Sequence, residues 1–157
     1  MSGKTQLTTP SDREIVTERT FDAPRERIWE AFTDPELIPQ WWGPRKYTTV
    51  VDVMDVRRGG AWRFYHEGED GEQIGFRGTY REVTPPERLV QTFEWEGMPG
   101  HGIVETATLE DLGEQTKVTT VSLFHTTEER DGMLSSGMES GLSESHERLD
   151  ELFASQD

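Results

Sequence analysis

The sequence contains no cysteine, few basic residues and no long apolar run. Without cysteine, the chain cannot form a disulfide, a thiol nucleophile or a cysteine-based zinc site. It carries 31 acidic residues against 16 basic ones, a formal net charge of -15, so electrostatics opposes binding to nucleic acid or to an anionic lipid surface. The N-terminus lacks the apolar segment of a secretion signal, and no apolar run is long enough to cross a membrane. These absences predict a cytoplasmic protein without a nucleic-acid or membrane partner.

Aliphatic residues are scarce, but large aromatic residues are not. The chain has five Trp, seven Phe and three Tyr. Each of these side chains buries roughly 150–250 Å² when it is interior, so together they can form a core. The length of 157 residues fits one domain. We therefore predict a flexible N-terminal tail over residues 1–13 and a single domain over residues 14–154.

The domain begins with a strand and two short helices. Residues 14–21 are rich in β-branched and aromatic residues, which favours a strand. The following segment changes to helical spacing, with Pro24 in its first turn. Asp34 begins a second short helix, which is limited by Pro39 and ends at Gly43.

From residue 47 onward, apolar and polar residues alternate with the period of a β-strand. Turn residues divide this region into six segments: YTTVVDVMDV, AWRFYH, QIGFRGTYREV, RLVQTFEWE, IVETATLED and TKVTTVSLFH. Their close succession predicts an antiparallel meander. Gly75 and Gly78 lie inside one segment, where they favour a bulge or a tight bend.

The last element predicted is one long helix, from the capping-box sequence TTEE at residues 126–129 to about residue 154. Each glycine inside a helix costs about 1 kcal/mol relative to alanine. Small residues nevertheless alternate with large ones on its inner face: Met133, Gly137, Met138 and Gly141. This pattern predicts open volume between the first half of the helix and the sheet.

The order of these elements predicts an α+β fold in which a curved antiparallel sheet wraps around the C-terminal helix. The strings TFDAPRERIWEAFTDPELIPQWWGP, DVRRGGAWRF, FRGTYREVTPPERLVQTFEWEG and SGMESGLSESHERLDELF carry a more specific signal. They resemble the domain similar to the activator of Hsp90 ATPase, within the START/Bet v 1-like (SRPBCC) superfamily. The resemblance covers residues 14–154 and implies the helix-grip fold. It implies no single activity, because that superfamily includes ligand carriers, cyclases, hydrolases and interaction domains.

Two adjacent tryptophans, Trp41 and Trp42, follow the second short helix. Neighbouring residues on a helix point about 100° apart, so the two indoles should enter different environments. We expect one of them in the core and the other at the mouth of a cavity. In proteins of the fold that the resemblance implies, this segment flanks the cavity opening.

The remaining candidate residues of the cavity lie on strands. Alternation places four aromatic side chains toward the long helix: Trp62, Phe64, Phe93 and Trp95. Three polar side chains share faces with apolar ones: His66, Gln91 and Glu105. A buried polar group needs a partner, so each of these either bonds locally, turns outward or orients a ligand.

Motifs of other functional classes are missing from the sequence. His66, His101, His125 and His146 lack the spacing of metal ligands, which predicts no metal and no cofactor. We interpret His101 as a loop residue and His146 as a residue of the helix surface, and the alternative for each is that folding brings it near a pocket. There is neither a Gly-x-Ser-x-Gly nucleophile elbow nor a phosphate-binding loop.

The sequence therefore favours a protein that binds a small apolar or aromatic molecule between the sheet and the C-terminal helix, with no catalytic residue assigned. One alternative is a chaperone-associated domain that binds a protein partner through its acidic surface and the exposed part of the Trp41–Trp42 pair. Another is a cyclase- or hydrolase-like enzyme that uses the same cavity, with His66, Gln91 or Glu105 as acid, base or orienting group. The sequence indicates neither the ligand nor the oligomeric state.

Overall fold

The computed structural model describes residues 4–155, which form one antiparallel sheet and four helices. The eight strands are β1 (Gln6–Thr8), β2 (Glu14–Phe21), β3 (Thr48–Met54), β4 (Ala61–Glu67), β5 (Gln73–Thr84), β6 (Arg88–Trp95), β7 (Ile103–Asp111) and β8 (Thr116–Leu123). Their order across the sheet is β1-β2-β8-β7-β6-β5-β4-β3. Strands β3 to β8 thus form the predicted six-stranded meander. Strand β2 pairs with β8, on the side of the sheet opposite β3.

The helices are α1 (Arg25–Thr33), α2 (Ile38–Trp41), α3 (Thr127–Ser135) and α4 (Met138–Ser155). Helix α4 packs on one face of the sheet through its second half, where Leu149, Leu152 and Phe153 are buried. The same core includes Ile28 of α1 and Phe21 of β2. Burial of these apolar side chains holds the helices against the sheet. The α+β helix-grip fold predicted from the sequence is confirmed.

The segment that the sequence assigns to a flexible tail contains strand β1. Gln6, Leu7 and Thr8 pair with residues 16–18 of β2 in an antiparallel register. Strand β2 would otherwise be the edge of the sheet, and its unpaired backbone groups accept another strand. The predicted tail over residues 1–13 is therefore wrong for residues 6–8, while residues 1–3 lie outside the described part of the chain.

The predicted single C-terminal helix is two helices. Thr126 caps α3 as expected, since its side chain accepts a hydrogen bond from the Glu129 N–H over 3.1 Å. Helix α3 then ends at Ser135, and Gly137 follows with φ of 86°. That left-handed conformation is typical of the glycine directly after a helix. The sequence pattern missed the break because glycine is also tolerated inside helices.

For Gly75 and Gly78 the sequence predicts a bulge or a tight bend, and the pairing of β5 with β4 is regular at both, so no bulge forms at Gly78. Gly78 lies opposite Trp62, and a Cβ atom at this position would come within 2.6 Å of the Trp62 indole nitrogen. The missing side chain leaves room for that nitrogen to donate a hydrogen bond to the Thr92 carbonyl over 3.1 Å. The irregularity of β5 occurs later, between Tyr80 and Glu82.

Candidate functional site

A cavity of about 390 Å³ lies between the inner face of the sheet, α2 and the first half of α4. Most of the candidate residues line it: Trp41, Trp42, Phe64, His66, Gln91, Phe93, Glu105, Met138 and Gly141. Other aromatic side chains complete the wall, among them Phe32, Phe76 and Tyr80. The cavity is therefore mainly aromatic, with a few polar groups on the sheet side.

Trp41 and Trp42 both line this cavity, but their side chains contact different elements. Trp41 is buried, its indole N–H donates to the Ala31 carbonyl over 2.9 Å, and its ring stacks on Phe32. Trp42 is only partly buried and contacts the rings of Phe64 and His66, with centroids 5.3 and 5.1 Å away. Trp41 thus anchors α2 to α1, while Trp42 joins α2 to the strands of the cavity floor.

His66 is enclosed by aromatic rings. It stacks on Tyr47 at a centroid distance of 5.2 Å, and it meets Phe76 edge-on at 5.0 Å. Its Nε2 atom is buried and has no hydrogen bond within the described residues. Burial, together with the positive charge of Arg148, lowers the pKa of His66 to about 4. The imidazole is therefore neutral at physiological pH.

A row of polar side chains crosses three strands on the inner face of the sheet. Gln91 of β6 is paired with Glu105 of β7, and Glu105 is paired with Ser122 of β8. The Ser122 hydroxyl donates to one carboxylate oxygen of Glu105 over 3.4 Å. Along β6 and β7 the same-face neighbours of this row are apolar, whereas on β8 the same-face neighbour is Thr120. The row forms a polar belt across the sheet, and its members Gln91 and Glu105 line the cavity together with Thr120.

Glu105 is the charged residue of this belt. Its environment raises the pKa of the carboxyl group to about 7, because burial disfavours the ionised form more than the Ser122 hydrogen bond favours it. The other carboxylate oxygen has no hydrogen bond among residues 4–155. Glu105 can therefore exist in either protonation state near neutral pH, and it can accept a hydrogen bond from a molecule in the cavity.

Helix α4 supplies the opposite wall of the cavity. No atom lies within 4 Å of the position where a Cβ atom would stand on Gly141, so this part of the helix faces open space. The Ser145 hydroxyl accepts a hydrogen bond from the Gly43 N–H over 2.9 Å, and Arg148 donates to the Gly43 carbonyl over 2.9 Å. These bonds fix the loop after α2 to the middle of α4, beside the cavity.

His146 also lines the cavity, although the sequence places it on the helix surface. It is buried, meets Phe21 edge-on and forms a hydrogen bond of 2.6 Å with the Thr5 hydroxyl. Burial and the nearby charge of Arg19 lower its pKa to about 4. The prediction failed because the paired N-terminal segment, which covers this side of α4, was expected to be a tail.

Two of the candidate residues, Trp95 and Met133, line a separate groove of about 770 Å³ under α3. The stacked rings of Phe76 and Phe93, with centroids 5.5 Å apart, line both spaces and so stand between them. Trp95 is 45% exposed, and His101 on the rim pairs with Glu129 of α3. The aromatic floor predicted from the sequence is thus divided between two cavities.

The last two candidate residues line neither space. Trp62 is 2% exposed and belongs to the core beneath the cavity floor. Gly137 forms the break between α3 and α4. Helix periodicity could not find this role, because the left-handed conformation appears only once the chain direction changes. Within the described residues, no three His, Asp or Glu side chains come together as metal ligands would.

Comparison with known families and structures agrees with this architecture. The family model described as Activator of Hsp90 ATPase homolog 1-like protein matches residues 22–154. A crystal structure of a Rhodobacter sphaeroides protein is 26% identical, with a TM-score of 0.92 over 98% of this chain and 99% of the other. A Chromobacterium violaceum protein is 27% identical, with a TM-score of 0.79 over 90% and 97% of the two chains.

An NMR structure of a protein from Arthrobacter aurescens is also similar, with 25% identity and a TM-score of 0.85 over 92% of this chain and 88% of the other. Among curated proteins, none matches the sequence significantly. None of the helices within residues 4–155 is both long and apolar enough to cross a lipid bilayer.

Proposed function

Because the chain belongs to the family of Activator of Hsp90 ATPase homolog 1-like proteins, we propose that it uses its helix-grip fold to bind a small aromatic or apolar molecule. The observation that carries the proposal is the cavity of about 390 Å³ between the sheet and α4. Ligand pockets are typically about 300–1,000 Å³, mostly apolar, with a few placed polar groups. The aromatic wall and the polar side chains of Gln91, Glu105 and Thr120 have this character.

Replacing Gly141 by leucine tests this proposal. The new side chain would project into open space beside the cavity, so it should exclude the ligand without disturbing the core. Leucine also has a better helix propensity than glycine by about 1 kcal/mol. We expect Gly141→Leu to keep or raise the melting temperature and to abolish binding of a neutral aromatic probe, naphthylethanol, measured by tryptophan fluorescence.

Gly132→Leu is the matched control. Gly132 lies on α3, lines the second groove and likewise has no atom within 4 Å of a Cβ position. The Gly132→Leu variant should retain naphthylethanol binding, because the new leucine side chain would not enter the cavity between the sheet and α4, here called the α4 cavity. If Gly132→Leu loses binding and Gly141→Leu keeps it, the ligand site is the groove under α3 instead. If the parent protein shows no saturable binding of naphthylethanol, the proposal is refuted.

A second candidate function is an enzyme that acts within the same cavity. It is favoured by Glu105, since a carboxyl group with a pKa of about 7 can both take and return a proton at neutral pH. Native mass spectrometry of freshly purified protein would identify any small molecule that remains bound. Incubation of that molecule with fresh protein then separates the two functions, because an enzyme converts it into a different compound, seen as a new chromatographic peak, and a binding protein does not.

A further inference from the structure

The lining of the α4 cavity can carry charge of one sign, although Arg148 and Arg19 lie near its histidines without lining it. No Lys or Arg side chain lines it within the described residues, and His66 and His146 are both neutral at physiological pH. Tyr80 is the other titratable group of the wall, and burial raises its pKa far above neutrality. The carboxylate of Glu105 is therefore the one charge that the described wall can present to a ligand.

This carboxylate is incompletely satisfied. Ser122 donates to one of its oxygens, whereas the second oxygen has no partner within residues 4–155. Gln91, the neighbour on the other side, makes no hydrogen bond to it there. Glu105 is half-buried at the cavity wall. A carboxylate withdrawn from bulk water with one long hydrogen bond is costly to ionise, and a cationic donor placed against it lowers that cost.

The rings around the cavity suit the same kind of ligand. Trp42, Phe64, Phe76 and Phe93 line the same cavity as Glu105. The faces of aromatic rings attract cations within about 6 Å, most strongly where water is excluded. The net charge of -15 over the whole chain adds a long-range field that attracts cations to the protein.

We infer that the ligand of the α4 cavity is a protonated amine with an aromatic or apolar body, whose ammonium group is bound by the Glu105 carboxylate. This inference rests on the proposed function, since it specifies the chemistry of the molecule that the cavity holds. The apolar body occupies the space between the aromatic wall and Gly141, and the ammonium group completes the polar belt. Binding is a proton-linked event, because the ammonium favours the ionised form of Glu105.

Three probes of one shape test the inference: naphthylethylamine, naphthylethanol and naphthylacetate, which present a cation, a neutral hydroxyl and an anion. Hydrogen bonds to charged groups contribute about 1.5–3 kcal/mol. We therefore expect the amine to bind on the order of ten- to a hundredfold more tightly than the alcohol at pH 8, and the anion more weakly than either. Equal affinity for amine and alcohol would overturn the inference while leaving the proposed function intact, whereas no binding of any probe would overturn both.

The pH dependence provides a second readout that needs no variant. With a pKa of about 7 for the free Glu105 carboxyl, only about a tenth of it is ionised at pH 6. The amine should then bind about tenfold more weakly at pH 6 than at pH 8, with nearly one proton released per amine bound at pH 6. Calorimetry in two buffers of different ionisation heat measures that proton, and a pH-independent amine affinity would contradict the inference.

Glu105→Gln is the matched variant, because glutamine keeps the size of the side chain and its hydrogen bond with Ser122. Whatever its absolute affinity for naphthylethanol, the variant should lose the preference for the amine over the alcohol and release no proton on binding the amine. An undiminished amine preference in Glu105→Gln would place the ammonium elsewhere and overturn the inference. Should the variant fail to fold, the pH dependence and proton release of the parent protein still decide.

Discussion

At the scale of single residues, the two buried histidines of the cavity make the free energy of unfolding depend on pH. His66 and His146 are both neutral in the folded protein, because burial holds the pKa of each near 4. In the unfolded chain, a histidine has a pKa of about 6.5. Between about pH 4 and about pH 6.5 the unfolded state therefore binds more protons than the folded state. Acidification over this range lowers the free energy of unfolding. Glu105 opposes this trend, since its raised pKa makes the folded state bind a proton first.

The contribution of His146 can be isolated by replacing it with glutamine, which does not titrate and can still form a hydrogen bond with Thr5. We expect His146→Gln to be less stable than the parent protein at pH 7. The difference should shrink as the pH falls below 6.5, by up to about 3 kcal/mol at pH 4. Urea titrations at several pH values measure the difference in the free energy of unfolding between the two proteins. The contribution of Glu105 cancels in this difference, because both proteins contain Glu105.

His125→Gln serves as the control at the exposed position. His125 lies on the surface after β8, so its replacement should change the free energy of unfolding little at pH 7. A pH-independent difference between His146→Gln and the parent protein would mean that the imidazole of His146 is not kept neutral by folding.

At the scale of secondary-structure elements, the break between α3 and α4 decides what each helix covers. Helix α3 lies over the second groove with Met133, whereas α4 begins at Met138 and lies over the main cavity. Gly137, with φ of 86°, separates the two helices. The two inner glycines therefore differ in role: Gly137 permits the change of direction, and Gly141 leaves the cavity open.

Alanine at these two glycines should have opposite effects. Neither position has an atom within 4 Å of a Cβ atom, so steric contact does not distinguish them. Gly141→Ala should raise the free energy of unfolding by about 1 kcal/mol through helix propensity. Gly137→Ala should lower it by about 1–2 kcal/mol, since φ of 86° is strained for a residue with a side chain. Chemical denaturation of both variants measures the contrast, and a stabilising Gly137→Ala would show that the chain does not need the left-handed conformation there.

At the scale of the whole molecule, the charge imbalance is the dominant feature. The 31 acidic residues exceed the 16 basic ones, and many of the basic residues form ion pairs, such as Arg63 with Glu96 at 2.7 Å. The excess negative charges repel one another in the compact state, which lowers stability at low ionic strength. The same field favours the approach of cationic ligands.

Salt should therefore stabilise the protein. Raising sodium chloride from about 0.01 M to about 0.1 M shortens the screening length from about 30 Å to about 10 Å, which weakens the repulsion. We expect the melting temperature at pH 7 to rise over this range, as measured by differential scanning calorimetry. The rise should diminish near the sequence pI of about 4.6, where the net charge is small. A melting temperature that falls with salt at pH 7 would indicate that surface ion pairs outweigh the repulsion.

The sequence by itself determined the helix-grip fold and the family. Strand alternation, turn residues and helix-start signals are local, and they set the order of β2 to β8 and the two short helices. The quoted motifs extend over nearly the whole chain, so the resemblance was specific. Local patterns also placed Phe64 and Phe93 on inward faces, since alternation fixes which side of a strand a residue occupies.

The tertiary structure alone decided how the candidate residues are divided between the α4 cavity and the groove under α3. Trp95 shares a strand face with Phe93 but lies beyond the end of the main cavity, because the distance along β6 carries it under α3. The burial of His146 depends on the pairing of β1 with β2 and on the contact with Thr5, which is 141 residues away in sequence. The protonation of Glu105 likewise depends on neighbours from other strands. Periodicity describes one element at a time, whereas burial and pKa values arise from the packing of several elements around one point.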